Sequence, residues 1–129
     1  MEYKFLVLDI DGTVTNSQKE VTPKTREAII RLPVAIASGR PPKGVYKVAD
    51  CLCFQKFGSY ILPFNGARIL NYKTKECVFE KTLPLSLPAR LWRDAVENRL
   101  GIITYQDEAI YSGTEPDEYM AIEAGINDM

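Results

Sequence analysis

The stretch LVLDIDGTVTN, Leu6–Asn16, limits the fold more than any other: a run of leucine, valine and isoleucine stops on two aspartates one residue apart, then Gly-Thr. YKFLVLDI has the length and branched apolar content of a strand covered on both faces, as in a parallel sheet layered with helices. VTPKTREAIIRL reads next as a helix, with Thr22 as its cap, Pro23 in the first position, and Ala28, Ile29 and Leu32 as its apolar face; Pro33 ends it. VAIAS, Val34 to Ser38, is a second buried strand that stops at the glycines and prolines of SGRPPKG. Strand, helix and strand in that order predict a right-handed crossover and an α/β core.

A weaker helix is expected around Val45 to Cys53, a third strand in SYILPFNG, and a hairpin from ARIL and CVFE. From Ser86 the pattern becomes an amphipathic helix with Leu91, Trp92, Ala95, Val96 and Leu100 facing inward and Gly101 as its stop. GIITY and AIYS form a further strand pair, and DEYMAIEAGINDM a last helix. The boundary between the two layouts is expected near Leu83 and Pro84, dividing the chain into residues 1–83 and 84–129.

At 129 residues, nearly half of them apolar, the chain can bury a real core. Its 16 basic and 17 acidic residues leave a formal charge of -1, so there is no electrostatic footprint for nucleic acid or an anionic membrane. No segment reaches membrane-spanning length and the first residues lack the basic flank of a signal peptide, which makes a cytoplasmic location the expectation. The absence of histidine excludes imidazole triads and histidine metal sites, leaving carboxylates, hydroxyls, lysine and arginine to do any chemistry. Cys51, Cys53 and Cys77 make neither a disulfide framework nor a zinc spacing and are expected to be small buried hydrophobes.

Asp9 and Asp11, two apart on an extended backbone, project to the same side at the carboxyl end of the first strand, where open parallel sheets bind ligands. Two carboxylates held so close repel unless a cation lies between them or one takes a proton. Oxygen-only surroundings favour magnesium, which keeps waters and shares phosphate oxygens. A plain Asp-Gly turn beside a solvated strand end is the other reading of the same residues. At the end of the second strand Ser38 offers a hydroxyl, and Gly39 lets backbone N–H groups approach an anion, although a simple strand-to-loop turn with Arg40 as a surface charge is again open.

DIDGT after the first strand, ASGRP after the second and NGA after the third, with VTPKTREAI between the first two, resemble the haloacid dehalogenase superfamily, in particular its Cof-type phosphatases. The resemblance implies a partial Rossmann-like parallel core over residues 1–83 and the beginning of an inserted α+β cap over 84–129. It implies that Asp9 is the nucleophile that becomes an aspartyl-phosphate and that Asp11 protonates the leaving alcohol and then activates water. Magnesium (Mg2+) would be held by the Asp9 carboxylate and the Asp11 main-chain carbonyl, and Ser38 would hydrogen-bond a phosphoryl oxygen. Gly12 and Thr13 would shape the phosphate turn, while Gly39, Arg40, Asn65 and Gly66 would border a small phosphorylated metabolite.

Two further motifs of the family, a lysine and an acidic pair within GDxxND, normally lie beyond the cap, and the chain is expected to stop inside that cap. The terminal AGINDM is not read as the acidic motif, because Glu123 and Ala124 stand where Gly-Asp belongs; Asn127 and Asp128 are expected to be surface or terminal residues. Lys43 is read as a solvated lysine, and REAIIRLPVAIASGR as a shortened crossover. A three-stranded core leaves one side of the first strand unpaired, which exposes an apolar edge and invites self-association. The functional expectation is a magnesium-dependent phosphohydrolase of doubtful activity alone; a non-catalytic remnant or assembly module, and a phosphomutase, are the alternatives.

Overall fold

A computed structural model of the chain describes residues 5–129. Tyr3 and Lys4, expected at the start of the first strand, lie outside them. The chain divides into two compact units, the first ending at Lys81 and the second spanning Thr82–Met129.

In the first unit, β1 (Leu6–Asp9), β2 (Val34–Ala37) and β3 (Tyr60–Leu62) run parallel, and β4 (Arg68–Asn71) and β5 (Cys77–Glu80) continue the sheet antiparallel in the order β1-β2-β3-β4-β5. The result is a mixed α/β sheet. Between β1 and β2 lies α1 (Pro23–Ile29), whose Thr22 hydroxyl accepts the N–H of Thr25 and whose Pro23 occupies the first turn. Between β2 and β3 lie α2 (Pro42–Cys51) and the single turn α3 (Phe54–Phe57), which starts and ends on left-handed residues, Cys53 and Gly58. The core is formed by Ile10, Val14, Val34, Ile36, Val45, Ala49, Leu52, Phe54, Ile61 and Tyr72, all buried.

Central β2 has the two-sided burial expected of it. The first strand does not: Leu6 is 39% and Val7 53% exposed, because β1 is an edge strand with a partner on one side only. The apolar face of α1 is narrower than expected, since Ile29 is buried while Ala28 and Leu32 are exposed. The cysteines also differ from expectation: Cys51 and Cys53 are half-buried and Cys77, on edge strand β5, is exposed.

The second unit contains α4 (Leu87–Glu97), an antiparallel ribbon of β6 (Ile103–Gln106) and β7 (Ala109–Ser112), and α5 (Glu118–Asn127). Asp117 caps α5 by accepting the N–H of Met120. Helix α4 stops at Glu97, with Arg99 in the left-handed region, rather than at Gly101. Of the side chains expected to face inward on this helix, only Ala95 is buried. Leu91 and Trp92 instead border an open apolar cleft of about 340 Å³ with Pro88, Ile103 and Tyr111. Asn127, expected at the surface, is fully buried, and its amide donates to the Glu123 carbonyl and carboxylate.

Candidate active site

Three parallel strands end level with one another. Asp9 pairs in register with Ala37, and Ala37 with Leu62. The loops leaving β1, β2 and β3 therefore emerge side by side at the carboxyl edge of the sheet, the usual ligand-binding edge of an open α/β sheet.

The β1 loop is pinned from below. Ile10 and Val14 are buried, and the Ile10 carbonyl accepts both the backbone N–H and the hydroxyl of Thr15, each at 3.0 Å. This closes one wide turn over Ile10–Val14 in which Asp11, Gly12 and Thr13 are exposed. Gly12 has φ +78°, a conformation that side chains with a Cβ rarely adopt, so the turn itself requires glycine there. Burial of Ile10 between them leaves Asp9 and Asp11 both on the exposed side.

The β2 and β3 loops are tied together. Ser38 donates its N–H to the Leu62 carbonyl, its own carbonyl accepts the N–H of Asn65, and Phe64 donates to the Arg40 carbonyl. The Ser38 hydroxyl accepts the N–H of Arg40 at 3.2 Å, which leaves its own hydrogen for another acceptor. At Gly39 a Cβ would come within 3.3 Å of the Asn65 amide oxygen, so the close approach of the two loops favours glycine. Phe64, Asn65 and Gly66 all have positive φ, which makes the FNG segment a tight turn.

The two aspartates have opposite surroundings. Asp9 has no side-chain hydrogen bond or ion pair among the described residues. Asp11 is held by two cations. Arg40 grips it with a fork, Nη2 to Oδ1 at 2.7 Å and Nε to Oδ2 at 3.1 Å, and Lys19 Nζ reaches the same Oδ1 at 2.8 Å. Partial burial pushes the Asp11 carboxyl upward, but the hydrogen bonds and charges of Arg40 and Lys19 outweigh it and hold the group below the usual carboxylate range. Arg40, expected to border the substrate, thus lies on the second aspartate, and also donates to the Gly44 carbonyl.

Sequence reasoning missed Lys19. It projects from a closed turn in which Asn16 accepts the N–H groups of Gln18 and Glu20 on its side-chain oxygen. The Asn-Ser-Gln-Lys composition signals a turn, but nothing in it aims a lysine at an aspartate eight residues back. Lys43, by contrast, lies in the first turn of α2.

The side-chain oxygens at this edge, those of Asp9, Asp11 and Ser38, are hard donors of the kind that magnesium takes, and among the described residues no group of three or more histidine, cysteine or acidic side chains is placed to hold a metal ion. No described helix is long and apolar enough to cross a membrane.

A family model for haloacid dehalogenase-like hydrolases matches residues 6–127, and the chain belongs to that family. Among curated relatives, YxeH of Bacillus subtilis, provisionally named a phosphatase, is 35% identical over 86 residues, 63% of this chain and 32% of YxeH. BU028/BU029 of Buchnera aphidicola, named in the same way, is 29% identical over 117 residues, 84% of this chain and 41% of that protein. A haloacid dehalogenase-like hydrolase of known structure from Bacteroides thetaiotaomicron is 39% identical with a TM-score of 0.92, over 99% of this chain and 50% of that one. TM0651 from Thermotoga maritima shares the fold at 21% identity, with a TM-score of 0.75 over 99% of this chain and 48% of that one. The chain thus spans half or less of the length of each of these relatives.

Proposed function

We propose that residues 5–81 carry the nucleophile side of a magnesium-dependent phosphatase site acting on small phosphorylated metabolites, and that the second unit is the opening part of a substrate-covering cap. The observation that carries this reading is the level ending of β1, β2 and β3, which sets Asp9 and Asp11 beside the interlocked Ser38 and Asn65 loops. The family's description supports hydrolysis, and the provisional names of its relatives support phosphate esters as what is hydrolysed.

Asp9, the carboxylate without a partner among the described residues, attacks phosphorus and forms an aspartyl-phosphate. Asp11 gives a proton to the leaving alcohol oxygen and then takes one from the attacking water. Since Arg40 and Lys19 favour its ionised form, Asp11 is set for the second of these tasks, and the first requires their grip to loosen. Ser38 donates its free hydroxyl hydrogen to a phosphoryl oxygen, and the backbone around Gly12 and Thr13 and around Gly39 and Gly66 lines the phosphate approach. The Asp9 carboxylate and the Asp11 main-chain carbonyl would hold magnesium, which neutralises charge on the transferring group.

The test is Asp9→Asn in the longest natural version of the protein, which is expected to abolish magnesium-dependent hydrolysis of phosphate monoesters. Unchanged turnover would remove Asp9 from the nucleophile role. A crystal structure with fluoroberyllate should place the adduct within bonding distance of the Asp9 carboxylate. The ion-paired state of Asp11 favours a second reading, a non-catalytic phosphate-binding module, which an Asp9→Asn variant with undiminished phosphate affinity and a wild type without turnover would support.

A further inference from the structure

Lys19 occupies a backbone conformation that an L-residue adopts at a cost. Its φ is +62°, in the left-handed region, at the one position of the turn where glycine or asparagine is the easier choice. The turn is otherwise complete: Lys19 N–H donates to the Asn16 carbonyl at 3.0 Å, Asn16 N–H donates to Glu20 at 2.9 Å, and the Asn16 side chain closes it from inside. Glycine there would leave all of these bonds intact. What lysine adds is an ammonium delivered to Asp11.

That ammonium shares Asp11 Oδ1 with a guanidinium. Two cations are therefore held side by side against a single carboxylate oxygen, although Arg40 already satisfies both oxygens of that carboxylate. The second cation is redundant as a partner for Asp11 but not for a doubly charged anion arriving at the same edge. Lys19 is also the less enclosed of the two. Its side chain is 61% exposed against 15% for Arg40, and its four-carbon stem can swing without disturbing the sheet.

We propose that Lys19 is a phosphate-binding residue of this site: in the absence of substrate its ammonium rests on Asp11, and when a phosphate monoester binds it transfers to a phosphoryl oxygen. The proposal rests on the phosphatase reading above. No bond is made or broken in the exchange. One ion pair replaces another, and Asp11 is left with Arg40 alone.

The experiment is calorimetric titration of the chain with inorganic phosphate, with and without magnesium chloride, for wild type, Lys19→Gln, Lys19→Arg, Lys19→Gly and Ser38→Ala. Loss of one charge-assisted hydrogen bond is expected to weaken phosphate binding by about tenfold or more in Lys19→Gln and Lys19→Gly, and Lys19→Arg should recover most of it. Lys19→Gly should at the same time melt no lower than wild type, because glycine accepts the positive φ, so weakened binding there cannot be ascribed to unfolding. Phosphate affinity equal to wild type in Lys19→Gln, with Ser38→Ala still weakened, overturns the role of Lys19 and leaves the phosphatase reading standing. Failure of the wild-type chain to bind phosphate under either condition overturns both.

Discussion

The two units contain similar sequence patterns and bury them to very different degrees. In the first, Val34, Ile36, Val45 and Ile61 are at most 1% exposed, sealed between the sheet and its helices. In the second, α4 has an amphipathic pattern as regular as any in the chain, yet Leu91, Trp92 and Val96 are 44% to 48% exposed, and only Ala95 and Asn127 are buried. Amphipathic spacing tells which face of a helix is apolar, and a two-stranded ribbon is too small to cover that face. The first unit is a core that carries the candidate site; the second is a set of elements joined by side-chain hydrogen bonds, such as Trp92 to the Gly113 carbonyl and Tyr105 to Glu123, with little interior.

The contrast can be broken most directly by truncating one apolar side chain in each unit. Ile36→Ala, at 0% exposure on the central strand, is expected to cost about 2–5 kcal/mol, because the rigid surroundings keep most of the cavity. Val96→Ala, nearly half exposed already, should cost less than about 1 kcal/mol. Urea unfolding of both variants gives the comparison, and equal losses would show that the second unit has a core as confining as the first.

A smaller effect would sharpen the account of the second unit. A Cβ on Gly113 would lie 2.4 Å from Trp92 Cδ1 and 2.9 Å from Ile102 Cγ2, and the Gly113 carbonyl accepts the Trp92 indole N–H at 3.0 Å. Gly113→Ala must therefore displace the indole and break this bond, at a cost of about 1–3 kcal/mol. Trp92 is the only tryptophan, so its emission should shift to the red in the folded variant. Emission and midpoint both equal to wild type would mean that the indole does not rest on Gly113.

The same contrast explains what could be read from the sequence. VAIA and the LVL of LVLD are both wholly apolar, and both segments are legible as strands, but their burial is not, because strand order decides whether a strand is central or an edge and strand order has no local signal. Capping by Thr22 was easier, since it depends on residues within one turn. At the candidate site, Asp9, Asp11, Ser38 and Asn65 stand out because each ends a strand or opens a turn. Arg40 on Asp11 is a contact 29 residues apart, and Lys19 is aimed by a left-handed residue that nothing in its own chemistry demands. Asn127 was misplaced for a related reason: its burial follows from the packing around Glu123, one helical turn away, and not from its polarity.

The smallest effect concerns the ion pairs around Asp11. Its carboxyl is held below the ordinary value in the folded chain, so the stabilisation it contributes is fully present above the unfolded aspartate value of about 3.9 and is lost as pH falls through the lower folded value. With the Asp11 side chain 39% exposed, solvent screens the pair, and Arg40→Gln should cost only a few tenths to about 1 kcal/mol at pH 7. The difference between wild type and Arg40→Gln should shrink as pH falls through the lowered folded value of Asp11, and should shrink with added salt at pH 7. Since other carboxylates titrate in the same range, the decisive measurement is a double-mutant cycle with Asp11→Asn. A coupling between Arg40 and Asp11 that is present at pH 7 and absent in strong acid identifies the pair as the source; a coupling near zero at every pH would place the contribution of Arg40 in contacts other than Asp11, its bond to the Gly44 carbonyl among them.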